Sequence, residues 1–121
     1  MKGTEHELLV VISNQGYSDM VMDAARKVGA GGGTVIHAKG TGVERAERFL
    51  GISLAAEKDL LFIVAPTGRK KAIMEEIMRE AGMETKAKSI CFSLPVTAAA
   101  GLRLIEDPEN TAAEQKNEPE L

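Results

Sequence analysis

Residues 8–12 read LLVVI, and a run of the same kind returns 52 positions later as LLFIV at residues 60–64. Each run is five apolar residues long, is rich in β-branched side chains and is followed by turn-forming residues, which is typical of buried strands. Because every position of both runs is apolar, we expect both faces of these strands to be covered. The repeat therefore predicts two equivalent halves, each opened by a buried strand.

A helical pattern and a second strand follow each run. Apolar residues at the i, i+3, i+4 and i+7 spacing over residues 21–28 and 73–81 predict one helix in each half. Ser18 is the expected N-cap of the first helix. Residues 34–38 and 89–94 then have the composition of strands. The order of elements is therefore βαβ, twice.

Two βαβ units of this size are expected to merge into one α+β domain of the ferredoxin-like type, βαββαβ. It has a four-stranded antiparallel sheet with both helices on one face, because right-handed crossovers place them on the same side. The other face would expose more apolar surface than soluble monomers tolerate, which predicts a homo-oligomer that packs sheet against sheet. The domain is predicted over residues 1–105, and residues 106–121, EDPENTAAEQKNEPEL, are predicted to be an acidic, disordered tail.

The composition limits the class of function. The chain has 121 residues, a net charge of -3 and one cysteine. A mildly acidic chain argues against nucleic-acid binding, and a single cysteine forms no internal disulfide, which favours a cytoplasmic location. No apolar run approaches the ~20 residues of a membrane-spanning helix, and the N-terminus lacks the pattern of a signal peptide. We therefore expect a cytoplasmic protein that is not itself embedded in a membrane.

Glycine is concentrated around the predicted second strand. Residues 29–42, GAGGGTVIHAKGTG, contain six glycines in two clusters, and glycine allows tight turns and close approach of the backbone to a ligand. Neither cluster has the order of a phosphate loop or of a dinucleotide fingerprint. The first cluster is explained by a helix stop and a turn. The second opens a link over residues 41–57 and is equally compatible with a turn and with a ligand site.

The residue types that carry catalysis or bind metals are sparse and scattered. His6, His37 and Cys91 are far apart in the sequence, and no nucleophile–base pair stands out. We interpret His37 as a structural histidine with its hydrogen bonds satisfied, and Cys91 as an inert core thiol. The sequence therefore predicts a protein that is not an enzyme.

The string GTVIHAKGTG at residues 33–42 resembles the nitrogen regulatory PII family, and more narrowly the bacterial PII-like proteins. The similarity extends over about residues 8–104. It implies a homotrimer that requires no cofactor, binds a small adenine nucleotide (ATP, ADP, AMP or cyclic AMP) in the clefts between subunits, and acts on a membrane transporter or a metabolic enzyme through a flexible T-loop. Here the T-loop corresponds to the link of residues 41–57, and a role in nitrogen metabolism is implied by the family alone.

The resemblance also implies a set of nucleotide-binding residues. Thr34 matches the threonine beside the adenine, and the set as a whole is Thr34, Lys39, Gly40, Thr41, Gly42, Lys86, Lys88 and Arg103. The family's glycine-rich turn before the last strand is replaced here by residues 86–89, KAKS. Its two lysines either supply positive charge to phosphates or are solvated lysines in a turn.

Other functions are compatible with the same fold. One is a trimer without nucleotide binding, either a metal-responsive protein resembling the CutA family or an assembly module. An acylphosphatase ranks last, because residues 13–16 lack the arginine that its phosphate-binding loop would need. Within the link, residues 44–51 read as a short amphipathic helical turn.

Overall fold

The fold was obtained as a computed structural model, which describes residues 5–41, 48–49, 52–53 and 56–102. The predicted tail of residues 106–121 lies outside the described residues. The elements in chain order are β1 (His6–Asn14), α1 (Ser18–Lys27), β2 (Gly33–Gly40), β3 (Arg48–Phe49), β4 (Ile52–Ser53), β5 (Ala56–Pro66), α2 (Thr67–Ala81) and β6 (Ile90–Pro95).

Four of the strands form one antiparallel sheet in the order β2-β5-β1-β6. The two long apolar strands, β1 and β5, lie in the centre, and the strands that follow each helix lie at the edges. This is the ferredoxin-like βαββαβ arrangement predicted from the sequence. Among the described residues, no helix combines the length and apolar composition needed to cross a membrane.

The hydrophobic core lies between the sheet and the two helices. Burial alternates along the central strands, so that Leu9 and Val11 of β1 and Leu61 and Ile63 of β5 are fully buried while their neighbours are partly exposed. Alternation of this kind means that only one face of the sheet is covered. Within a single chain the helices therefore cover one face of the strands, and the expected cover of the second face by other copies of the chain stays a prediction.

The second face of the sheet, which we call the open face, is apolar across all four strands. The strand register places Val10 between Phe62 of β5 and Phe92 of β6 on this face, and Phe92 is 50% exposed. The large apolar residues of the open face are Leu8, Val10, Ile12, Ile36, Leu60, Phe62, Val64, Ile90, Phe92 and Leu94. A continuous apolar surface of this kind marks an interaction site.

Two local predictions differ from the structure. The first helical hydrogen bond of α1 runs from the amide of Val21 to the carbonyl of Tyr17, so Tyr17 and not Ser18 occupies the N-cap position. The helical turn proposed within the link is wrong in its described part, because β3 and β4 pair as antiparallel strands. Phe49 and Ile52 favour strands, which outweighs the helical spacing of the charges before them.

Helix α2 allows a matched test of the core. Ile77 is fully buried and the adjacent Met78 is 37% exposed. We expect Ile77→Ala to lower the free energy of unfolding by about 2–5 kcal/mol, because it removes transfer energy and leaves a cavity. Met78→Ala should cost less than about 1 kcal/mol. Urea denaturation of both variants at one protein concentration measures the difference, and equal losses would contradict the placement of α2.

Candidate functional site

The antiparallel register brings several chain segments to one end of the sheet, which we call the link end. Gly40, the last residue of β2, pairs with Ala56, the first residue of β5, so the link leaves and re-enters the sheet at adjacent positions. On the far side, Ile12 pairs with Ile90 at the start of β6, so the turn of residues 82–89 lies at this end as well. The sequence alone does not show this convergence.

Lys58 lies at the base of the link. Its Nζ donates a hydrogen bond of 2.7 Å to Oδ1 of Asn14, and its aliphatic stem lies against Gly40, where a Cβ atom would be 3.2 Å from Cε of the lysine. The acceptor is a neutral amide, so this contact leaves the positive charge of the ammonium uncompensated. The sequence offers Lys58, with Arg45 and Arg48, as a further candidate for phosphate or partner contacts, and strand pairing places it beside Gly40.

Asn14 connects β5 to the turn before β6. Its Nδ2 donates to the carbonyl of Lys86 at 2.9 Å, and its backbone amide donates to the carbonyl of Ala87 at 2.8 Å. The next amide, that of Gln15, donates to the carbonyl of Glu57 at 3.2 Å. One short segment at the end of β1 therefore holds both the returning link and the lysine-bearing turn.

The turn itself has an unfavourable backbone. Lys88 has a φ of 47°, and it is the one non-glycine residue with a positive φ among those that the structure describes. A lysine in this left-handed region costs about 1–2 kcal/mol. The hydroxyl of the following Ser89 is fully buried and has no hydrogen-bond partner within the described ranges. The hydrogen bonds to neighbouring residues must therefore hold this turn in its left-handed conformation.

The residues implied by the family resemblance do not all meet within one chain. Lys39, Gly40 and Thr41 lie at the link end, as do Lys86 and Lys88 of the turn, and all but Gly40 are exposed. Thr34 is exposed on the open face, but it lies six residues before Gly40 on β2 and is therefore about 20 Å away. Gly42 and Arg103 lie outside the described residues.

Lys39 and Lys58 lie on opposite faces of the sheet. Residue 39 pairs with Glu57 and residue 37 with the buried Asp59, which places both β2 side chains on the helix side. Lys58 follows the alternation of β5 onto the open-face side. At the link end, positive charge therefore lies on both faces of the sheet.

His37 forms a polar cluster on the helix side. Its Nδ1 lies 2.7 Å from Oδ1 of Asp59, a carboxylate that is 2% exposed and also accepts a hydrogen bond from the amide of Gly16 at 3.2 Å. The hydrogen bond expected for a structural histidine is present. The ring itself is at the surface, with 73% of the side chain exposed, because β2 is an edge strand.

The three side chains that a metal-responsive protein would use are far apart. His37 is level with Ser13 on the sheet, which is seven residues and about 23 Å from His6 along β1. Cys91 lies on β6, three strands and about 14 Å from β2. Burial raises the pKa of the Cys91 thiol to about 11, so it is protonated at neutral pH. Over the described part of the chain, no three His, Cys, Asp or Glu residues are placed to hold a metal ion.

The strained turn generates a stability prediction. Replacing Lys88 with glycine removes the free-energy cost of a left-handed lysine. This gain is larger than the cost of the extra conformational entropy that glycine loses on folding. Lys88→Gly should therefore raise the free energy of unfolding by about 0.5–1 kcal/mol. Lys86→Gly, two residues earlier and also exposed, lacks this benefit and should lower the free energy of unfolding. Urea denaturation compares the two variants, and an equal loss in both would contradict the assigned turn geometry.

Comparison with known proteins gives one family and two related folds. The family model for nitrogen regulatory protein P-II matches residues 6–106. The PII protein of Arabidopsis thaliana bound to citrate has 20% identity and a TM-score of 0.60, with 78% of this chain and 79% of that chain covered. A DUF3240 family protein from Shewanella baltica has 15% identity and a TM-score of 0.62, with 83% and 99% covered. These likenesses show the fold, and a search of curated proteins finds no match.

Proposed function

Because the chain belongs to the nitrogen regulatory protein P-II family, we propose that it is a PII-like regulatory protein that senses a small adenine nucleotide or a related anion. It acts as a cytoplasmic homotrimer and not as an enzyme. Ligand binding in the clefts between subunits changes the conformation of the link, residues 41–57, and so changes the surface offered to a transporter or metabolic enzyme. A role in nitrogen metabolism is proposed from family membership.

The observation that carries this proposal is the position of the Lys58 ammonium. It lies at the base of the link, against Gly40 and beside Asn14, which holds the lysine-bearing turn. An anion bound there contacts the segment that opens the link and the strand that closes it. Lys39, Lys86 and Lys88 add positive charge around the same end, which suits phosphate groups.

Two features favour a site shared between subunits. The open face carries ten large apolar residues that the chain's own helices leave uncovered, and other copies of the chain are the simplest cover. Thr34 is about 20 Å from Gly40 along β2. A single cleft that contains both Thr34 and the lysines of the link end would therefore take Thr34 from one copy of the chain and the lysines from another.

The assembly is tested by a charge on the open face. We expect light scattering of the natural protein to report a particle of three 12.9 kDa chains. Phe92→Glu should reduce it to one chain, since a buried, unpaired carboxylate is costly. Met83→Glu is the control, because Met83 is 56% exposed and lies off the sheet. A single 12.9 kDa particle for the natural protein at micromolar concentration would contradict the trimer.

The ligand is tested by titration calorimetry against ATP, ADP, AMP, cyclic AMP and 2-oxoglutarate. We expect binding of at least one nucleotide, and a loss of about 10-fold or more in affinity for Lys58→Met, since a hydrogen bond to a charged group contributes about 1.5–3 kcal/mol. Lys71→Met, an exposed lysine of α2 at the opposite end of the sheet, should leave the affinity unchanged. Absence of heat with all five ligands would refute nucleotide sensing.

A further inference from the structure

We propose that Asn14 is a positioning residue that couples the base of the link to the turn of residues 86–89. Through it, the state of Lys58 determines the position of the two lysines in that turn. The coupling is a property of the unliganded chain, and its consequence for the ligand rests on the proposed function.

The first half of the coupling is the contact with β5. Asn14 and Lys58 are direct partners in the β1–β5 register, and the lysine Nζ donates to the Asn14 Oδ1 at 2.7 Å. The neighbouring bond from the amide of Gln15 to the carbonyl of Glu57 fixes the backbone at the same level. A change in Lys58, at the point where the link returns to the sheet, therefore reaches the Asn14 amide directly.

The second half is the contact with the turn. The β1–β6 ladder reaches Ile12 and Ile90 at this end, and beyond it Asn14 bonds two consecutive turn carbonyls, those of Lys86 and Ala87, at 2.9 and 2.8 Å. One of these bonds comes from the side chain and the other from the backbone. The side-chain bond is the one that responds to Lys58, because both use the same amide group.

An amide is the group that this role requires. It accepts through its oxygen and donates through its nitrogen, and the two are fixed in one plane. If the Lys58 ammonium moves toward an anion, the Asn14 oxygen follows or loses its donor, and the nitrogen that holds Lys86 is reoriented. Aspartate preserves the first contact and loses the second, whereas alanine loses both.

The turn is poised to respond to such a change. Lys88 is in the left-handed region and the Ser89 hydroxyl is buried without a partner in the described structure. Its other tethers include backbone bonds from Lys88 to Thr85, from Ser89 to Ala81 and from Asn14 to Ala87, and the burial of Ala87 in the core. Weakening the side-chain bond from Asn14 therefore removes a contact that holds the Lys86 carbonyl next to an unfavourable conformation.

The test measures the coupling without any ligand. In 15N-labelled full-length protein, the amide chemical shifts of residues 86–89 are compared with and without Lys58→Met, in four backgrounds: the natural chain, Asn14→Ala, Asn14→Asp and Gln15→Ala. We expect Lys58→Met to shift the turn amides in the natural chain and in Gln15→Ala, whose hydrogen bond uses the backbone. In Asn14→Ala and Asn14→Asp, we expect Lys58→Met to shift the turn amides no more than it shifts the amides of α2.

Equal shifts of the turn amides in all four backgrounds would overturn the proposal, as would no shift in the natural chain. Asn14→Asp retains an acceptor for Lys58, so it decides the question if Asn14→Ala does not fold. Lys86→Ala keeps the turn carbonyl and should retain the coupling. Calorimetry with ADP is a separate arm: absence of heat refutes nucleotide sensing while the shifts still decide the role of Asn14.

Discussion

The structure depends on one imbalance: four strands with apolar residues on both faces are covered by two helices on one face. The helices bury Leu9, Val11, Leu61 and Ile63 and so define the fold of the single chain. The opposite face, centred on Phe62 and Phe92, is also apolar, and the two helices leave it uncovered. Hydrophobic burial therefore completes the fold on one face and leaves on the other the apolar surface for which we propose association.

The same sheet determines where a ligand site can form. In an antiparallel sheet of this order, the ends of β1 and β2 meet the beginnings of β5 and β6, so the link, Lys58 and the turn before β6 share one end although they are distant in sequence. The polar contacts there converge on Asn14, which extends the β1–β6 pairing beyond its last ladder residue. The pairing register of the strands, more than any local sequence motif, thus brings the residues of the candidate site together.

The fold was predictable from the sequence because apolar spacing encodes it: runs of five for the central strands and a 3.6-residue period for the helices. The glycine-rich string around β2 identified Gly40 and its neighbours as a candidate site. The positions of Lys58, Asn14 and the His37–Asp59 pair were not predictable, since each depends on which residue faces which across strands. The left-handed Lys88 was also missed, because lysine carries no signal for a positive φ.

The pairing of Gly40 with Ala56 has a consequence for how such proteins diversify. The two ends of the link are anchored by the sheet, so its interior can lengthen or shorten at a small entropic cost, about 0.6 kcal/mol for each doubling of length. Insertions, deletions and substitutions there leave Lys58 and its neighbours in place. The sequence of the link can therefore diverge between related chains while the residues at its base stay where the sheet holds them.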